Sequence, residues 1–449
     1  MTRLSETIAA EATPPGRGAL RVVRISGGLA VPILKELFAT AGPLPWERPR
    51  SLCLGAIGAP GREPLDQALA VCFPAPDSFT GEDVVEIQAH GAPGVIRGIL
   101  DLAVGRGARL ALPGEFSYRA FLNGKLTVLE SEAINTLVDA QTDGQAMRLG
   151  LGLQGGLEKE LRAWLDQLMD LRAQWEAAID FPDDVEGGPR GDSLAILREF
   201  EARMCALQSA APSLRYLREG WRVALVGPTN SGKSSLFNAL LRRERALVSP
   251  HPGTTRDVLE EAIQLGGYPL VLMDTAGLRE QLEAVEALGV ERGLQMAEKA
   301  DGVILVFDGA RGWDAEARAV LAQLNRPPLA IVANKSDLRC PPEALPQEAL
   351  VTSALTGEGV DRLSGVLKEW MEATLSSERH LLSSERQVEA IIEAQAGCRL
   401  ALDTLEHGGT EDLATPGLIQ AQQALDGLLS GGSQEDLYER IFSRFCIGK

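Results

Sequence analysis

The chain has 449 residues, with 44 Lys and Arg against 62 Asp and Glu, so its formal net charge is −18 at pH 7. Hydrophobic residues make up 45% and charged residues 24%, a composition typical of a globular protein with about two to four domains. These values exclude collagen, a coiled coil or general disorder as the main structure. They also argue against a polycation that binds nucleic acid by charge alone.

The cysteines, histidines and apolar runs exclude several further classes of protein. The six cysteines are scattered with no CxxC pair and the chain has four histidines, so we expect neither a disulfide framework nor a zinc site. No apolar run approaches the roughly 18 residues of a membrane span. The N-terminus lacks the basic start and apolar core of a signal peptide. We therefore expect a cytoplasmic protein without a membrane partner.

Residues 1–120 predict an N-terminal α+β domain. Short strand-like runs at residues 20–25, 69–73 and 84–88 are separated by turns rich in Gly and Pro. Residues 1–125 hold 13 basic and 12 acidic residues, a net charge of +1, so the rest of the chain carries −19. The N-terminal part therefore differs electrostatically from the rest of the chain.

Residues 121–212 predict the first part of a helical domain. Apolar residues recur there in steps of three and four, which places them on one buried face of a helix. These residues are Leu157, Leu161, Leu165, Leu168, Leu171, Trp175 and Ile179. We interpret this stripe as the core of a helix bundle.

Residues 213–374 predict a doubly wound α/β domain, because strand-like runs alternate with helical segments. The runs lie at residues 222–226, 269–273, 302–307, 329–333 and 350–352. Residues 375–449 return to helical patterns, at 384–406, 418–429 and 434–445. The simplest architecture is a discontinuous helical domain, in two parts, into which a Ras-like α/β domain is inserted.

The strongest motif is Gly227-Pro-Thr-Asn-Ser-Gly-Lys-Ser234, which follows a predicted strand and precedes a helical run. It matches GxxxxGK[ST], the P-loop, in which backbone N–H groups and a helix N-terminus surround phosphates. We expect Lys233 to reach the β- and γ-phosphate oxygens and Ser234 to bind Mg²⁺. The predicted phosphate site consists of Asn230, Ser231, Gly232, Lys233, Ser234 and Ser235.

Three further motifs follow in the order that a GTPase requires. Asp274-Thr-Ala-Gly277 closes the next strand, where the aspartate can hold the metal through water. Asn334-Lys-Ser-Asp337 ends a later strand, and its last carboxylate can accept both N1–H and the exocyclic amine of guanine, a donor pair that adenine lacks. Ser353-Ala-Leu355 supplies backbone near the guanine oxygen. The predicted set is Asp274, Thr275, Ala276, Gly277, Asn334, Lys335, Asp337, Ser353 and Ala354.

The groups that drive hydrolysis are less evident from the residues. In Ras-type GTPases a Gln after the DxxG glycine orients the attacking water, but Leu278 occupies that position here and its side chain forms no hydrogen bond. Arg256 and Arg279 are near the site in sequence, and each can equally be a solvated or structural charge. Another group must therefore orient the water, and a positive charge must still reach the β–γ bridge.

Asn230 together with Ser249-Pro-His-Pro-Gly-Thr-Thr-Arg-Asp257 resembles the potassium loop of the MnmE (TrmE) family of tRNA modification GTPases. The resemblance implies that K⁺ takes the place of an arginine finger, held by Asn230, Ser249, His251 and Thr254. It implies that Thr255 completes the Mg²⁺ shell beside Ser234. Ser249, Thr254 and Thr255 thereby join the expected GTP site.

The same resemblance assigns a general base. It implies that Glu286, downstream of the DTAG motif, acts through a bridging water. Lys233 of the P-loop is the other predicted catalytic residue besides Cys446. A carboxylate on a mobile segment is chemically suited to this task. From the residues alone, Glu286 can equally be a solvated glutamate on a helix face.

The resemblance extends from end to end of the chain and favours this family over GTPases such as Era or Der. The similar blocks are residues 6–18, 20–27, 78–88, 113–125 and 445–449. It implies that residues 1–120 form a dimerisation domain that binds a tetrahydrofolate one-carbon donor, either 5-formyl- or 5,10-methylene-tetrahydrofolate. The implied folate-binding residues are Arg24, Glu86, Lys125 and Lys449. By composition alone, the first three can simply be surface charges or ion pairs.

Cys446 has two interpretations. Its thiol, close to Lys449 in sequence, can be a nucleophile toward a uridine ring. Alternatively, it is a small buried residue that closes the last helix.

The resemblance implies a homodimeric, K⁺-activated GTPase that modifies the 5-position of the wobble uridine of certain tRNAs, adding aminomethyl or carboxymethylaminomethyl groups. It implies a partner, MnmG, that supplies FAD and NADH chemistry in a heterotetramer. Two alternatives remain: a regulatory switch that binds RNA or ribosomes, and a folate-dependent aminomethyltransferase that acts on protein.

Overall fold

The computed structural model describes residues 5–180, 190–247, 259–274, 286–338, 345–378, 381–431, 441–445 and 448. The chain forms two compact units. The first consists of Met1–Asn135, Glu158–Asp180 and Leu418–Lys449, and the second of Thr136–Leu157 and Phe181–Gly417. The domain limits at residues 120, 212 and 374 stay predictions.

The first unit is built on a seven-stranded sheet. Its strands are β1 (Ile8–Glu11), β2 (Gly18–Ser26), β3 (Phe38–Ala39), β4 (Cys53–Ile57), β5 (Asp66–Phe73), β6 (Val84–Gly91) and β7 (Arg109–Leu110). Their spatial order is β3-β4-β5-β6-β2-β1-β7, and every neighbouring pair is antiparallel except β1 and β7. The three predicted N-terminal strands are confirmed, since they lie within β2, β5 and β6.

Two helices, α1 (Ala30–Leu37) and α2 (Pro93–Val104), cover one face of this sheet. Apolar residues of both helices, including Ile33 and Ile99, share one buried cluster with Val23 and Ile87 of the strands. The alternation of buried and open residues along β2, β4 and β6 follows from the two-residue period of a strand. The core of the first unit therefore lies between the sheet and these helices.

The next helices are α3 (Glu115–Leu122), α4 (Val128–Val138), α5 (Asp143–Gly150), α6 (Gly156–Asp180) and α7 (Arg190–Glu219). Helix α6 carries the predicted stripe, with a correction. Trp164 is buried, whereas Leu165 is only half-buried and Ile179 is exposed. A step of three from Leu161 leads to Trp164 and a further step of four leads to Leu168, so Leu165 lies at the edge of the buried face.

The second unit contains the predicted α/β sheet. Its strands are β8 (Trp221–Val226), β9 (Arg245–Ala246), β10 (Leu259–Leu265), β11 (Tyr268–Asp274), β12 (Gly302–Asp308), β13 (Ala330–Asn334) and β14 (Leu350–Val351). The spatial order is β14-β13-β12-β8-β11-β10-β9. The five predicted strands are confirmed and are mutually parallel; β9 and β10 were not predicted and extend the edge in antiparallel fashion.

Helices cover both faces of this second sheet. They are α8 (Lys233–Arg243), α9 (Glu286–Lys299), α10 (Ala315–Gln323) and α11 (Val360–Thr374). Val223 and Leu225 of β8 share a core cluster with α8 and α11, while Ala224 and Val226 share another with α9 and α10. The prediction of a doubly wound arrangement is therefore confirmed for this sheet.

The last two helices are α12 (Glu385–Glu406) and α13 (Glu411–Ser430). Helix α12 begins one residue after the predicted start, with Ser384 as its N-cap, and α13 begins earlier than predicted. The predicted helix at 434–445 is wrong where it can be compared, since residues Phe442–Arg444 form a 3₁₀ turn. Residues 434–440 lie outside the described residues. No helix in the described part of the chain is long and apolar enough to cross a membrane.

A buried ionic network holds α3 to the N-terminal sheet. Arg119, only 2% exposed, donates to Glu115 Oε1 (2.9 Å), to both Glu82 oxygens and to the backbone of Glu6. Glu115 also accepts from Arg109. Burial alone would raise the pKa of Glu115. Together, the hydrogen bonds from Arg109, the Leu112 amide and Arg119 lower that pKa by more than burial raises it, so its net shift is downward.

Because the folded pKa of Glu115 lies below its ordinary value of 4.5, the carboxylate stabilises the fold above that pH and loses this effect as the pH falls through the folded pKa. We expect Glu115→Gln to cost about 3 kcal/mol at pH 7, because Arg109 and Arg119 lose a buried partner.

Calorimetric melting of the full chain at pH 7 and at about pH 3.5 measures this difference, with the exposed Glu47→Gln as control. The gap in melting temperature between wild type and Glu115→Gln should shrink at the lower pH. An equal difference in melting temperature at both pH values would contradict the stabilising role assigned to the ionised Glu115 carboxylate.

Candidate nucleotide site and N-terminal site

The loop at residues 227–232 joins the end of β8 to the start of α8. Gly227 has φ 149°, and a Cβ there would lie 1.9 Å from the carbonyl oxygen of Val306 on β12. Gly232 has φ 90°, in the left-handed region, directly before the helix. Glycine is required at both positions, by close backbone approach at the first and by conformation at the second. The geometry is that of a P-loop.

Lys233 lies within the arc of this loop. Its Nζ donates to the carbonyl oxygens of Gly227 (2.9 Å) and Pro228 (2.7 Å). The hydroxyl oxygen of Ser231 is buried and has no hydrogen-bond partner in the described part of the chain. A cationic amine, the amides of the loop and an unsatisfied buried hydroxyl suit a polyphosphate.

Ser234 and Asp274 are placed to serve a Mg²⁺ ion bound with that polyphosphate. Ser234 is half-buried in the first turn of α8, and Asp274 is buried at the carboxyl end of β11, opposite Leu225 in the neighbouring β8. Hydroxyl and carboxylate oxygens are the ligands that Mg²⁺ prefers. The residues present therefore fit the ion.

Asn334 ties the phosphate loop to the predicted guanine loop. Its Nδ2 donates to the carbonyl oxygens of Ser231 (3.2 Å) and Gly232 (3.3 Å). Its Oδ1 accepts from the Ala354 amide (3.0 Å) and from the Thr352 hydroxyl (3.3 Å). Asn334 is 1% exposed, so these bonds lie away from water and fix two loops that are distant in sequence.

Lys335, Asp337 and Ser353 complete the predicted guanine side of the site. Lys335 has φ 67° and forms an ion pair with Asp308 at the end of β12 (2.7 Å). The Ser353 hydroxyl donates to Asp337 Oδ1 (2.5 Å), which orients a carboxylate that is otherwise exposed. The carboxylate is thus aligned to accept a pair of N–H donors in one plane.

Several predicted nucleotide-site residues lie outside the described residues. These are Ser249, His251, Thr254, Thr255, Thr275, Ala276 and Gly277. Glu286 is described as the first residue of α9. The potassium loop therefore stays a prediction.

In the first unit, Arg24 on β2 and Glu86 on β6 are direct cross-strand neighbours. Arg24 Nε and Nη2 both approach Glu86 Oε1, at 2.9 and 2.8 Å, and both side chains are 20% exposed. The guanidinium also lies near the rings of Phe79 (5.1 Å) and Phe116 (5.7 Å). These distances are typical of cation–π contacts.

The C-terminal segment reaches this pair. Arg24 Nη1 donates to the carbonyl oxygen of Gly448 at 3.4 Å. Gly448 has φ 97°, and a Cβ there would lie 2.1 Å from the carbonyl oxygen of Glu11, so only glycine fits. The neighbouring Lys449 and the predicted Cys446 lie outside the described residues.

The structure therefore brings together Arg24, Glu86 and the backbone of Gly448. Lys125 is exposed after α3, and its described hydrogen bond is from its own amide to Ala120. Phe79 and Phe116 were not predicted as site residues. The signal that could have found them is their position within the blocks 78–88 and 113–125.

We expect Asp337→Asn to lower GTP affinity by at least about 100-fold, because an amide presents a donor where guanine also presents donors. Xanthosine triphosphate has a carbonyl oxygen in place of the exocyclic amine. The substitution should therefore lower the affinity for xanthosine triphosphate less than the affinity for GTP, or should raise it. Titration with fluorescent nucleotides measures both constants. The exposed Glu358→Gln is the matched control, and equal GTP affinity in the two variants would refute this role of Asp337.

Comparison with known proteins supports the resemblance over the whole chain. Residues 7–125 match the family described as GTP-binding protein TrmE N-terminus, and residues 128–446 match the MnmE helical domain. The chain is 42% identical to the tRNA modification GTPase MnmE of Laribacter hongkongensis, with all of both chains covered. It is 41% identical to that of Thermus thermophilus, covering 99% of this chain and 100% of the relative.

A solved structure of an Era variant from Aquifex aeolicus, bound to GDP and AlF₄⁻, is 25% identical with a TM-score of 0.26. It covers 40% of this chain and 67% of that chain. The full-length identities and both domain matches show that the chain belongs to the MnmE family of tRNA modification GTPases.

Proposed function

We propose that the chain is a K⁺-activated GTPase that acts with MnmG to modify the 5-position of the wobble uridine of certain tRNAs. Membership of the family makes it a GTP hydrolase that takes part in tRNA modification. The observation that carries the GTPase part is the Asn334 bridge, which holds a P-loop and a guanine-type loop in one site. A tRNA substrate also makes the cytoplasm the expected location.

In the proposed reaction, Ser234, Thr255 and, through water, Asp274 would hold Mg²⁺, which would neutralise charge on the β- and γ-phosphates. Lys233 adds a second cation at the same oxygens. Two of its present partners, the carbonyls of Gly227 and Pro228, are neutral, and phosphate oxygens would be stronger acceptors for its charge.

The attacking water and the β–γ bridge need two further groups. Leu278 cannot orient water through its side chain. We propose that Glu286 does so through a bridging water and that K⁺, held by Asn230, Ser249, His251 and Thr254, supplies the charge. Asn230 has φ 61°, a conformation uncommon for a residue other than glycine, which supports a constrained and specific role for it in the loop.

The residues around Arg24 and Glu86 are proposed to bind a tetrahydrofolate, which would supply the one-carbon unit when bound. Both Arg24 contacts go to Glu86 Oε1, so Oε2 is the oxygen to which pterin N–H groups can donate. Phe79 and Phe116 provide aromatic faces beside it. Arg24, Lys125 and Lys449 suit the carboxylates of the folate tail. Glycine or ammonium would supply the amine, and Cys446 stays a proposed nucleophile.

The open face of the N-terminal sheet supports a homodimer through residues 1–120. Leu54, Leu69, Gln88 and Val22 are aligned across β4, β5, β6 and β2. Leu54 is 56% exposed and Leu20, two residues from Val22 on β2, is 57% exposed. Three of these four aligned residues are apolar, and exposed apolar side chains on a sheet face are typical of a surface that a second copy covers.

The strongly acidic charge of residues 126–449 makes tight binding of tRNA by this chain alone unfavourable. We propose that the near-neutral N-terminal part and MnmG supply much of the tRNA surface, in a complex that contains both proteins. The FAD and NADH chemistry would belong to MnmG.

We expect the rate of GTP turnover in K⁺ buffer to exceed that in Na⁺ buffer of equal ionic strength by at least about tenfold. Asn230→Ala should remove most of the difference, whereas Asn238→Ala, exposed on α8, should retain it. Phosphate release at saturating GTP measures the rates. Equal rates in the two buffers would contradict the potassium mechanism and return attention to Arg256 and Arg279.

A further inference from the structure

The turn of the β10–β11 hairpin lies against the first turn of α5. Gly266 and Gly267 have φ of 60° and 88°, as a tight two-residue hairpin turn requires. The Gly144 amide donates to the Gly267 carbonyl oxygen (3.0 Å), and Gln264 Nε2 donates to Asp143 Oδ1 (2.8 Å). Because the first amides of a helix have no partner within it, the hairpin satisfies a donor that α5 leaves unpaired.

This contact leaves no space for a side chain at Gly144. A Cβ there would lie 2.4 Å from the Gly267 carbonyl oxygen. By contrast, a Cβ on Gly150, the last residue of the same helix, would meet nothing within 4 Å. The two glycines of α5 therefore differ in function, and the first permits the hairpin to approach.

Helix α5 and the β10–β11 hairpin each make further contacts within the second unit. Thr142 and Gln145 form a capping box at the start of α5, and Gln145 Nε2 donates to the carbonyl oxygen of Leu217 on α7. Tyr268, the first residue of β11, packs edge-on against Trp221 of β8 at 5.8 Å and also contacts the cluster formed by Leu149, Leu214 and Leu217. A displacement of the hairpin must therefore act on α5 and α7.

The other ends of the two strands lie at the nucleotide site. Strand β10 begins at Leu259, after the proposed potassium loop, and β11 ends at the buried Asp274. The pairing is unbroken from Leu259 opposite Asp274 to Leu265 opposite Tyr268. A ladder of seven residues spans about 20 Å and is stiff along its length.

We propose that α5 senses the nucleotide state through this contact, so that the β10–β11 hairpin transmits movement at Asp274 to α5 and α7. This inference rests on the proposed function, because it names the contact that would couple GTP hydrolysis to the helical part of the chain. The backbone contact between Gly144 and Gly267 connects the hairpin to α5, and the Gln264–Asp143 hydrogen bond holds the two elements in one orientation.

The test compares Gly144→Ala with the matched control Gly150→Ala. Alanine raises helix propensity at both positions, so only the steric conflict with Gly267 distinguishes them. Amide hydrogen exchange at residues 142–150 is measured in the full-length protein with GDP and with a non-hydrolysable GTP analogue. GTP affinity, GTP turnover and, with MnmG, tRNA uridine modification are measured on the same variants, and Gln264→Ala provides a second route to the same contact.

In wild type and Gly150→Ala, exchange at residues 142–150 should differ between the two nucleotides. Gly144→Ala should lose this difference, keep its GTP affinity within about twofold, and modify about tenfold less tRNA per GTP hydrolysed. A difference that persists in both Gly144→Ala and Gln264→Ala, or that is absent in wild type, would overturn the inference. Absence of tRNA modification by wild type with MnmG would instead refute the proposed function, and the exchange data would still decide the role of α5.

Discussion

The nucleotide site depends on the buried amide of Asn334. One side chain satisfies two carbonyls of the phosphate loop and two donors of the Thr352–Ala354 segment, with 1% of its surface exposed. An apolar replacement would leave the Ser231 carbonyl, the Ala354 amide and the Thr352 hydroxyl without this partner away from water, and each such loss costs about 1–3 kcal/mol. The Gly232 carbonyl would keep its hydrogen bond from the Leu236 amide. The Asn334 interaction therefore fixes the distance between the place where phosphates bind and the place where the base binds. The ion pair of Lys335 with Asp308 and the Ser353–Asp337 bond depend on that spacing.

The two candidate sites share a principle although they lie on different sheets. In each, a carboxylate is oriented by a neighbour so that it can accept paired N–H donors: Ser353 orients Asp337, and Arg24 orients Glu86. Guanine and a pterin present similar donor pairs, so similar carboxylates suit both. The N-terminal site differs in that the backbone of Gly448 closes it, which links the folate proposal to the C-terminal segment. Under the proposed function, GTP chemistry and one-carbon chemistry belong to separate sheets, and the β10–β11 hairpin is the proposed route by which the first influences α5 and α7.

Much of the second unit was predictable because strands buried on both faces are continuous apolar runs, and the P-loop glycines and lysine have few alternatives at that spacing. Strand β10 was not predicted, since Glu260, Glu261 and Gln264 interrupt its apolar pattern on an antiparallel strand. Arg119 was not predicted as a core residue either, because a buried guanidinium depends on partners, Glu82 and Glu115, that only the fold brings together. The contacts of Arg24 with Phe79 and Phe116 were likewise not predictable, because only the fold brings these distant residues together. Sequence pattern reports local periodicity and motif spacing, and it does not report pairings between distant charged or aromatic side chains.

We propose that GTP hydrolysis, rather than GTP binding, drives uridine modification. The most direct test is Glu286→Ala, assayed with MnmG for GTP binding, phosphate release and the modified nucleoside content of tRNA. The account predicts that the variant binds GTP with near wild-type affinity, releases almost no phosphate and leaves the wobble uridine unmodified. Normal modification by a variant that binds GTP but does not hydrolyse it would contradict the account.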